Sequence, residues 1–212
     1  MSKNAVVFRR SATNTDFPYA VETGTVEQRQ AVADWLAGLD QLSPEVREKV
    51  ITAWVTVLCW SDFDTIEEVP YYPGVPGYRL ADHVNDVTEH GMAMSETAAK
   101  RWGDKIDANI LVSCLILHDV DKPLLFTKVD GKEGYTPITR QIPHGVLGGM
   151  LLKDIGFPLE VVATVTTHAG NMPFHAETVS SWVLHYADYF CADKVFLLKG
   201  AKPMFQRYRV EF

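Results

Sequence analysis

Cysteine is scarce in this chain, and long apolar runs are missing. The three cysteines among 212 residues, Cys59, Cys114 and Cys191, are far apart and form no CxxC pair. We interpret them as reduced, mostly buried residues of a cytoplasmic protein. No apolar run reaches the roughly 18 residues that span a bilayer, and the residues after Met1 lack the apolar core of a signal peptide. We therefore expect a cytoplasmic protein with no membrane partner.

Basic residues are fewer than acidic ones. The sequence has 20 lysines and arginines against 27 aspartates and glutamates, which gives a formal net charge of −7. This balance disfavours a broad nucleic-acid footprint and favours a small-molecule substrate, while it leaves a locally basic pocket and homo-oligomer formation open. Because 47% of the residues are apolar, a sizeable core can form. The length fits one domain, or one domain with an extension.

Period-2 alternation of apolar and polar residues is also scarce, so the sequence predicts an all-α fold. Thr25-Val26-Glu27-Gln28 is typical of a capping box and opens a helix to about Leu39. Ser43-Pro44 is a good start for the next helix, since proline suits the first helical position. Further helices are expected at about 79–102, 107–120, 144–155, 158–168 and 177–198.

Two segments are predicted to be loops. Residues 61–78 contain three prolines and two glycines, and residues 126–143 contain the turn signals Asp130-Gly131 and Glu133-Gly134. The second segment is compatible with a short hairpin or a flap. Either loop is a candidate lid, and residues 1–24 are expected to form an irregular arm.

Histidines and aspartates with the character of metal ligands are scattered over about a hundred positions. The sharpest signal is His118-Asp119, which ends the apolar run Leu115-Ile116-Leu117, because both side chains are costly to bury unless they are paired or ligated. Imidazole and carboxylate groups suit zinc, iron and manganese. Each candidate taken alone also has a simpler explanation, such as a hydrogen-bonded core histidine or a helix cap. The full set is His90, His118, Asp119, His144, His168 and Asp188.

Four segments together resemble the HD superfamily of metal-dependent phosphohydrolases. They are EHGMAMSETAAKRWG, LILHDVDKP, PHGVLGGMLLKDIGFP followed by VTTHAGN, and HYADYFCAD. The resemblance implies an HD-domain helical bundle with an N-terminal helical extension. It places the arm and first helices at 1–78, the metal-binding domain at 79–198 and a tail at 199–212.

The resemblance also implies the roles of the candidate ligands. One divalent ion would be held by His90, His118, Asp119 and Asp188, with Asp119 bridging to a second ion. His144 and His168 would complete the second site. These two extra histidines occur in the dinuclear branch of the superfamily, so two ions of manganese, iron or zinc are expected.

Other polar residues near the motifs are candidates for catalysis or substrate binding. His83 lies two helical turns before His90, so it is expected to reach the pocket as an acid, a base or a substrate contact. Arg79 is a candidate anion contact, and Lys122 would stabilise developing negative charge. Asp121 stands where the family usually has glycine. The sequence leaves three roles open for this carboxylate: exposure to solvent, orientation of a ligand histidine, or binding of a substrate hydroxyl.

The resemblance favours hydrolysis of a small phosphoester by a metal-activated water. The same ligand set also suits a di-iron oxygenase that cleaves a C–C or C–P bond. A third hypothesis is hydrolysis of a non-phosphate bond, for example in a cyclic ketone ring, and a fourth is a degenerate domain used for binding. Metal identity and the oxygen dependence of turnover separate these hypotheses.

Overall fold

The structure, a computed structural model, describes residues 6–8 and 16–203 of the chain. Parts of the expected N-terminal arm and C-terminal tail lie outside these residues. Within the described part the fold is all-α, as predicted, with a single two-stranded hairpin. None of the described helices is sufficiently long and apolar to cross a membrane. The helices are α1 Val26–Trp35, α2 Pro44–Trp60, α3 Leu80–Trp102, α4 Ala108–Leu117, α5 Lys122–Leu125, α6 Val146–Ile155, α7 Leu159–Thr167 and α8 Val179–Leu198.

Local signals explain where the first helices begin. The capping box of α1 is formed, because the Gln28 amide N–H donates to Thr25 Oγ1 and the Gln28 side chain accepts from the Thr25 amide. Helix α2 begins at Pro44, as expected, but the Ser43 hydroxyl makes no capping bond. Instead, the Ser43 amide donates to Asn109 Oδ1 at 2.8 Å, which ties the start of α2 to α4.

The second predicted loop contains the hairpin. Strands β1 Phe126–Val129 and β2 Lys132–Tyr135 pair antiparallel across Asp130-Gly131. Both turn residues have positive φ, 50° and 75°, which is the conformation that a two-residue hairpin turn requires.

Helix α4 lies at the centre of the core. It contacts α2, α3, α7 and α8, and its residues from Leu111 to Leu117 are buried. Buried side chains from before and after residue 79, such as Trp54 and Leu184, belong to one continuous cluster. The end of α4 is thereby surrounded by α3, α7 and α8, and the polar cluster described below lies around that end.

Candidate metal centre

The His118-Asp119 pair lies where α4 ends, three residues earlier than the sequence predicted. After Leu117 the chain turns through His118, Asp119 and Val120 before the short helix α5 begins at Lys122. His118 is fully buried and Asp119 is 2% exposed. Because the turn releases these side chains from the helical repeat, both point into one polar cluster inside the bundle.

The first group of metal-binding type consists of His83, His118 and Asp119. The Nε2 atoms of His83 and His118 are 3.2 Å apart, and they lie 3.5 Å and 3.4 Å from Asp119 Oδ2. Asp188 on α8 joins them, since its Oδ1 atom is 3.1 Å from His83 Nε2. Helices α3 and α8 and the turn after α4 therefore converge on this group.

The expected first ligand, His90, lies outside the group, and His83 takes its place. His90 is exposed, its Nδ1 atom is 2.7 Å from the carbonyl oxygen of Asp86, and its ring packs on Phe190 with centroids 5.1 Å apart. The two histidines share one face of α3 but are separated by about 10 Å of axial rise. Because α4 ends beside the N-terminal half of α3, only His83 reaches the cluster. The sequence alone could have indicated His83 as a ligand candidate, since it lies on the same face of α3 as His90.

The second group consists of Asp119, His144 and His168. Asp119 Oδ1 lies 2.9 Å from His144 Nε2 and 3.7 Å from His168 Nε2. The two carboxylate oxygens of Asp119 thus face different groups, as the bridging role expected from the resemblance requires. The structure also brings Asp188, His144 and His168 to the cluster.

Asp121 holds His144 in position from behind. Its Oδ1 atom is 2.8 Å from His144 Nδ1, and its Oδ2 atom accepts from the amides of Gly145 and Gly148 at 2.7 and 3.2 Å. It is 1% exposed and does not line the cavity described below. Of the three roles left open by the sequence, this geometry supports orientation of a ligand histidine. It gives no support to direct catalysis by Asp121.

Gly145 makes this arrangement possible. Its φ of +86° strains any residue with a side chain, and a Cβ atom there would lie 2.8 Å from the carbonyl oxygen of Val165. The glycine lets the backbone turn sharply between His144 and α6, so that its amide reaches Asp121.

The hydrogen bonds of the Nδ1 atoms leave the Nε2 atoms as electron-pair donors. His118 and His168 donate from Nδ1 to the carbonyl oxygens of Leu115 and Val165 at 2.8 and 2.7 Å. In the neutral form, the Nε2 atom of each ring then carries the lone pair. His144 donates from Nδ1 to Asp121, so a neutral His144 ring would turn its Nε2 lone pair toward a carboxylate oxygen of Asp119. Such contacts are repulsive unless a proton or a metal cation lies between the two atoms. The donor set therefore fits divalent cations.

The pKa values of these groups follow from burial and from this crowding of charge. Burial lowers the pKa of His83 to about 4, against the opposing effect of Asp188. Burial also acts to lower the pKa of His144, but the charge of Asp121 and the hydrogen bonds to Asp119 and Asp121 outweigh it and raise this pKa to about 10. Burial acts to raise the pKa of Asp119, yet Lys122 and His118 hold it well below its usual range. The site thus stabilises added positive charge near Asp119.

Lys122 lies beside the cluster, as the motif predicted. Its Nζ atom is 2.6 Å from Asp119 Oδ2 and 3.8 Å from the centre of the Tyr71 ring. Asp119 Oδ2 is buried. Within the described residues it accepts no well-directed hydrogen bond, although Lys122 Nζ is close to it. An oxygen in that situation is suited to a further cation.

Arg79 does not reach the cluster, so the structure gives no support to its expected role as an anion contact. Its Nη1 atom pairs with Glu133 Oε1 at 2.8 Å, and Glu133 Oε2 accepts from the Gly74 amide at 3.1 Å. Glu133 therefore joins the 61–78 loop to the hairpin. Arg79 is committed to that junction.

A cavity of about 740 Å³ opens onto the cluster. Asp119, Lys122, His144, His168 and Asp188 form its polar end. Much of the remaining wall is aromatic. It includes Tyr71, Phe126, Tyr135, Tyr189 and Phe196. The cavity is large enough for a small substrate that carries a ring.

Comparison with known proteins gives one informative relative. A dihydroneopterin 2′,3′-cyclic phosphate phosphodiesterase from Methanocaldococcus jannaschii is 26% identical to the chain over 111 residues. The match covers 51% of this chain and 44% of that protein, so it spans less than half of the relative. No family model and no solved structure matches the chain. The chain is thus similar, over about half its length, to a protein named as a phosphodiesterase.

Proposed function

We propose that this protein is a metal-dependent hydrolase of small phosphoesters, with a dinuclear site of the HD type. The observation that carries the proposal is the convergence of four imidazoles and two carboxylates around the bridging position of Asp119. The proposed ligands of one ion are His83, His118, Asp119 and Asp188. Those of the other are Asp119, His144 and His168. Similarity to a protein named as a cyclic-phosphate phosphodiesterase supports the same chemistry.

When bound, two divalent ions would supply a water of lowered pKa and neutralise charge on the phosphoryl group. Hydrolysis of a phosphoester would break one P–O ester bond, and the leaving alcohol would take up a proton. The role of the chain is to hold the ligands rigidly, which the Nδ1 hydrogen bonds to backbone carbonyls and Asp121 achieve. Lys122 places a positive charge next to the bridging carboxylate, where negative charge increases during the reaction.

The residues that line the cavity indicate the chemical character of the substrate beyond its phosphoryl group. Aromatic side chains provide an apolar surface on which a planar group can stack. Arg140 lines the same cavity, is exposed, and forms no ion pair within residues 6–8 and 16–203. A phosphoester with an aromatic body and a hydrogen-bond acceptor at its far end fits this wall.

The test is a substrate panel on protein with defined metal content. The protein is stripped with a chelator, reloaded separately with Mn²⁺, Zn²⁺ and Fe²⁺, and assayed with p-nitrophenyl phosphate and nucleoside 2′,3′-cyclic phosphates with and without oxygen. We expect hydrolysis that depends on metal and is independent of oxygen. Inertness of every phosphoester while both ions are bound would refute the proposal. Turnover that requires iron and oxygen would instead favour the oxygenase.

A further inference from the structure

Tyr71 is held against the metal cluster from the side of the 61–78 loop. Its ring lies on the His83 ring with centroids 3.9 Å apart at 39°, and Lys122 Nζ sits 3.8 Å from its centre. Tyr78 packs edge-on against it at 5.6 Å. The ring is thus fixed by a proposed ligand, a cation and a neighbouring aromatic side chain.

The backbone around Tyr71 is also anchored. The Leu80 amide donates to the Val69 carbonyl at 3.0 Å, and Pro70 and Arg79 form a bridge that closes the loop at its base. Val75 and Tyr78 bury themselves against Val195 of α8, with Tyr71 packed on them. Tyr71 is therefore part of the rigid wall and needs little rearrangement to act on a substrate.

The hydroxyl group of Tyr71 is the unexplained feature. Within the described part of the chain it forms no hydrogen bond, and Tyr71 is a partly exposed residue that lines the cavity. Asp119 and Asp188, which belong to the metal cluster, line the same cavity. An O–H donor beside a metal cluster, with no acceptor in the protein, is available to a ligand.

We propose that the Tyr71 hydroxyl donates a hydrogen bond to a phosphoryl oxygen of the substrate bound at the cluster. This inference rests on the proposed phosphoester function and adds one donor from outside the ligand set. The ring holds Lys122 and covers His83, while the hydroxyl contacts the oxygen whose charge increases. A preorganised donor aimed at an oxygen whose charge increases can have a large effect on the rate.

The test separates the hydroxyl from the ring by comparing Tyr71→Phe with Tyr71→Leu, each loaded with the same metal. We expect Tyr71→Phe to keep the wild-type metal content, to lower kcat for p-nitrophenyl phosphate by about 100-fold, and to weaken binding of inorganic phosphate in calorimetry by about tenfold. Tyr71→Leu should in addition lose bound metal, because His83 and Lys122 lose their packing. Tyr186→Phe, on the exposed face of α8, is the matched control and should behave as wild type.

The outcomes distinguish this inference from the proposed function. If wild-type protein hydrolyses phosphoesters and Tyr71→Phe matches it in kcat and phosphate affinity, the hydroxyl role is wrong and the proposed function stands. If wild-type protein with both ions bound neither hydrolyses phosphoesters nor binds phosphate, both are wrong. Loss of metal in Tyr71→Phe equal to that in Tyr71→Leu would assign Tyr71 a purely structural role.

Discussion

At the scale of single residues, the candidate ligands are oriented by the hydrogen bonds on the side facing away from the cluster. Three imidazoles donate from Nδ1 to an ordered acceptor, a backbone carbonyl for His118 and His168 and the carboxylate of Asp121 for His144. His83 has a longer contact of 3.5 Å from Nδ1 to the Tyr78 hydroxyl, which itself donates to Asp86. The rings of His118, His144 and His168 are thereby fixed with Nε2 toward the cluster, whereas His83 is held by its shorter contact of 3.1 Å from Nε2 to Asp188.

The pair His83 and His90 offers a direct comparison on one helix. We expect His83→Ala to lose at least one bound ion per chain and most of the activity, because a buried donor between Asp119 and Asp188 is removed. His90→Ala, on the exposed part of α3, should keep both. Metal content by elemental analysis and phosphoester turnover provide the measurement. Equal metal loss in the two variants, or loss in His90→Ala alone, would restore the assignment expected from the sequence.

The substitution Asp121→Asn tests whether the carboxylate orients His144, because the volume of the side chain hardly changes. The asparagine side chain has one acceptor oxygen where the carboxylate has two. It cannot accept from both His144 Nδ1 and the backbone amides of Gly145 and Gly148, so the imidazole is free to rotate. We expect the affinity for one of the two ions to fall by about 10–100-fold, with the other little changed. Calorimetric titration with Zn²⁺ measures the two steps. An unchanged binding curve would show that Asp121 does not orient a ligand.

At the scale of secondary structure, two glycines at the ends of α6 share a positive φ but differ in ψ, −35° at Gly145 and 37° at Gly156, and in their surroundings. Gly145 before the helix has φ +86° and a carbonyl 2.8 Å from the position of a Cβ atom, while Gly156 after it has φ +88° and open space. Comparing them shows how much the close carbonyl and the different ψ of Gly145 add to the cost of a positive φ.

We expect Gly156→Ala to lower the free energy of unfolding by about 1 kcal/mol, the strain of a left-handed conformation. Gly145→Ala should cost about 1–3 kcal/mol more, because the added methyl group pushes against Val165. It should also weaken metal binding, since it displaces His144. Urea denaturation and metal titration measure both effects. Similar losses of stability in the two variants, without an effect on metal, would contradict this account of α6.

The helices and their limits follow largely from local sequence. The capping box before α1, Pro44 at the start of α2 and the Asp130-Gly131 turn act within a few residues, so the pattern alone locates them. The end of α4 was predicted three residues too late, because His118 and Asp119 continue the helical pattern while their side chains leave the helix to join the cluster.

At the scale of the whole molecule, burial of thiols and phenols makes the fold sensitive to alkali. Burial raises the pKa of Cys59 to about 11 and the pKa values of Cys114 and Cys191 to about 12. Burial, together with the hydrogen bond to Asp86, also raises the pKa of Tyr78 far above its usual range. These groups stay neutral in the folded state over a range in which the unfolded chain loses its protons.

Because the folded pKa values are raised, the stability that these groups contribute is complete below about pH 8.5, the ordinary thiol pKa. It is lost as the pH rises through the folded values. We expect the urea midpoint to fall steadily above about pH 9, and the native thiols to react slowly with Ellman's reagent at pH 8. In a Cys114→Ala variant, the urea midpoint, expressed relative to its value at neutral pH, should fall less steeply with pH than in the wild type. A midpoint that stays flat to pH 11 would be inconsistent with this burial.

Periodicity, helix caps and residue identity were enough to predict the helical class, most helix limits and the residue types of the candidate site. His118, Asp119, His144, His168 and Asp188 were identified in this way. The proposal of His83 instead of His90 as a ligand comes only from the tertiary structure, because both occupy one face of α3 and only the crossing of α4 selects which turn faces the cluster. The same packing turned Asp121 toward His144, paired Arg79 with Glu133 and brought Tyr71 over the site. These contacts join residues far apart in the chain, and no local pattern encodes such distances.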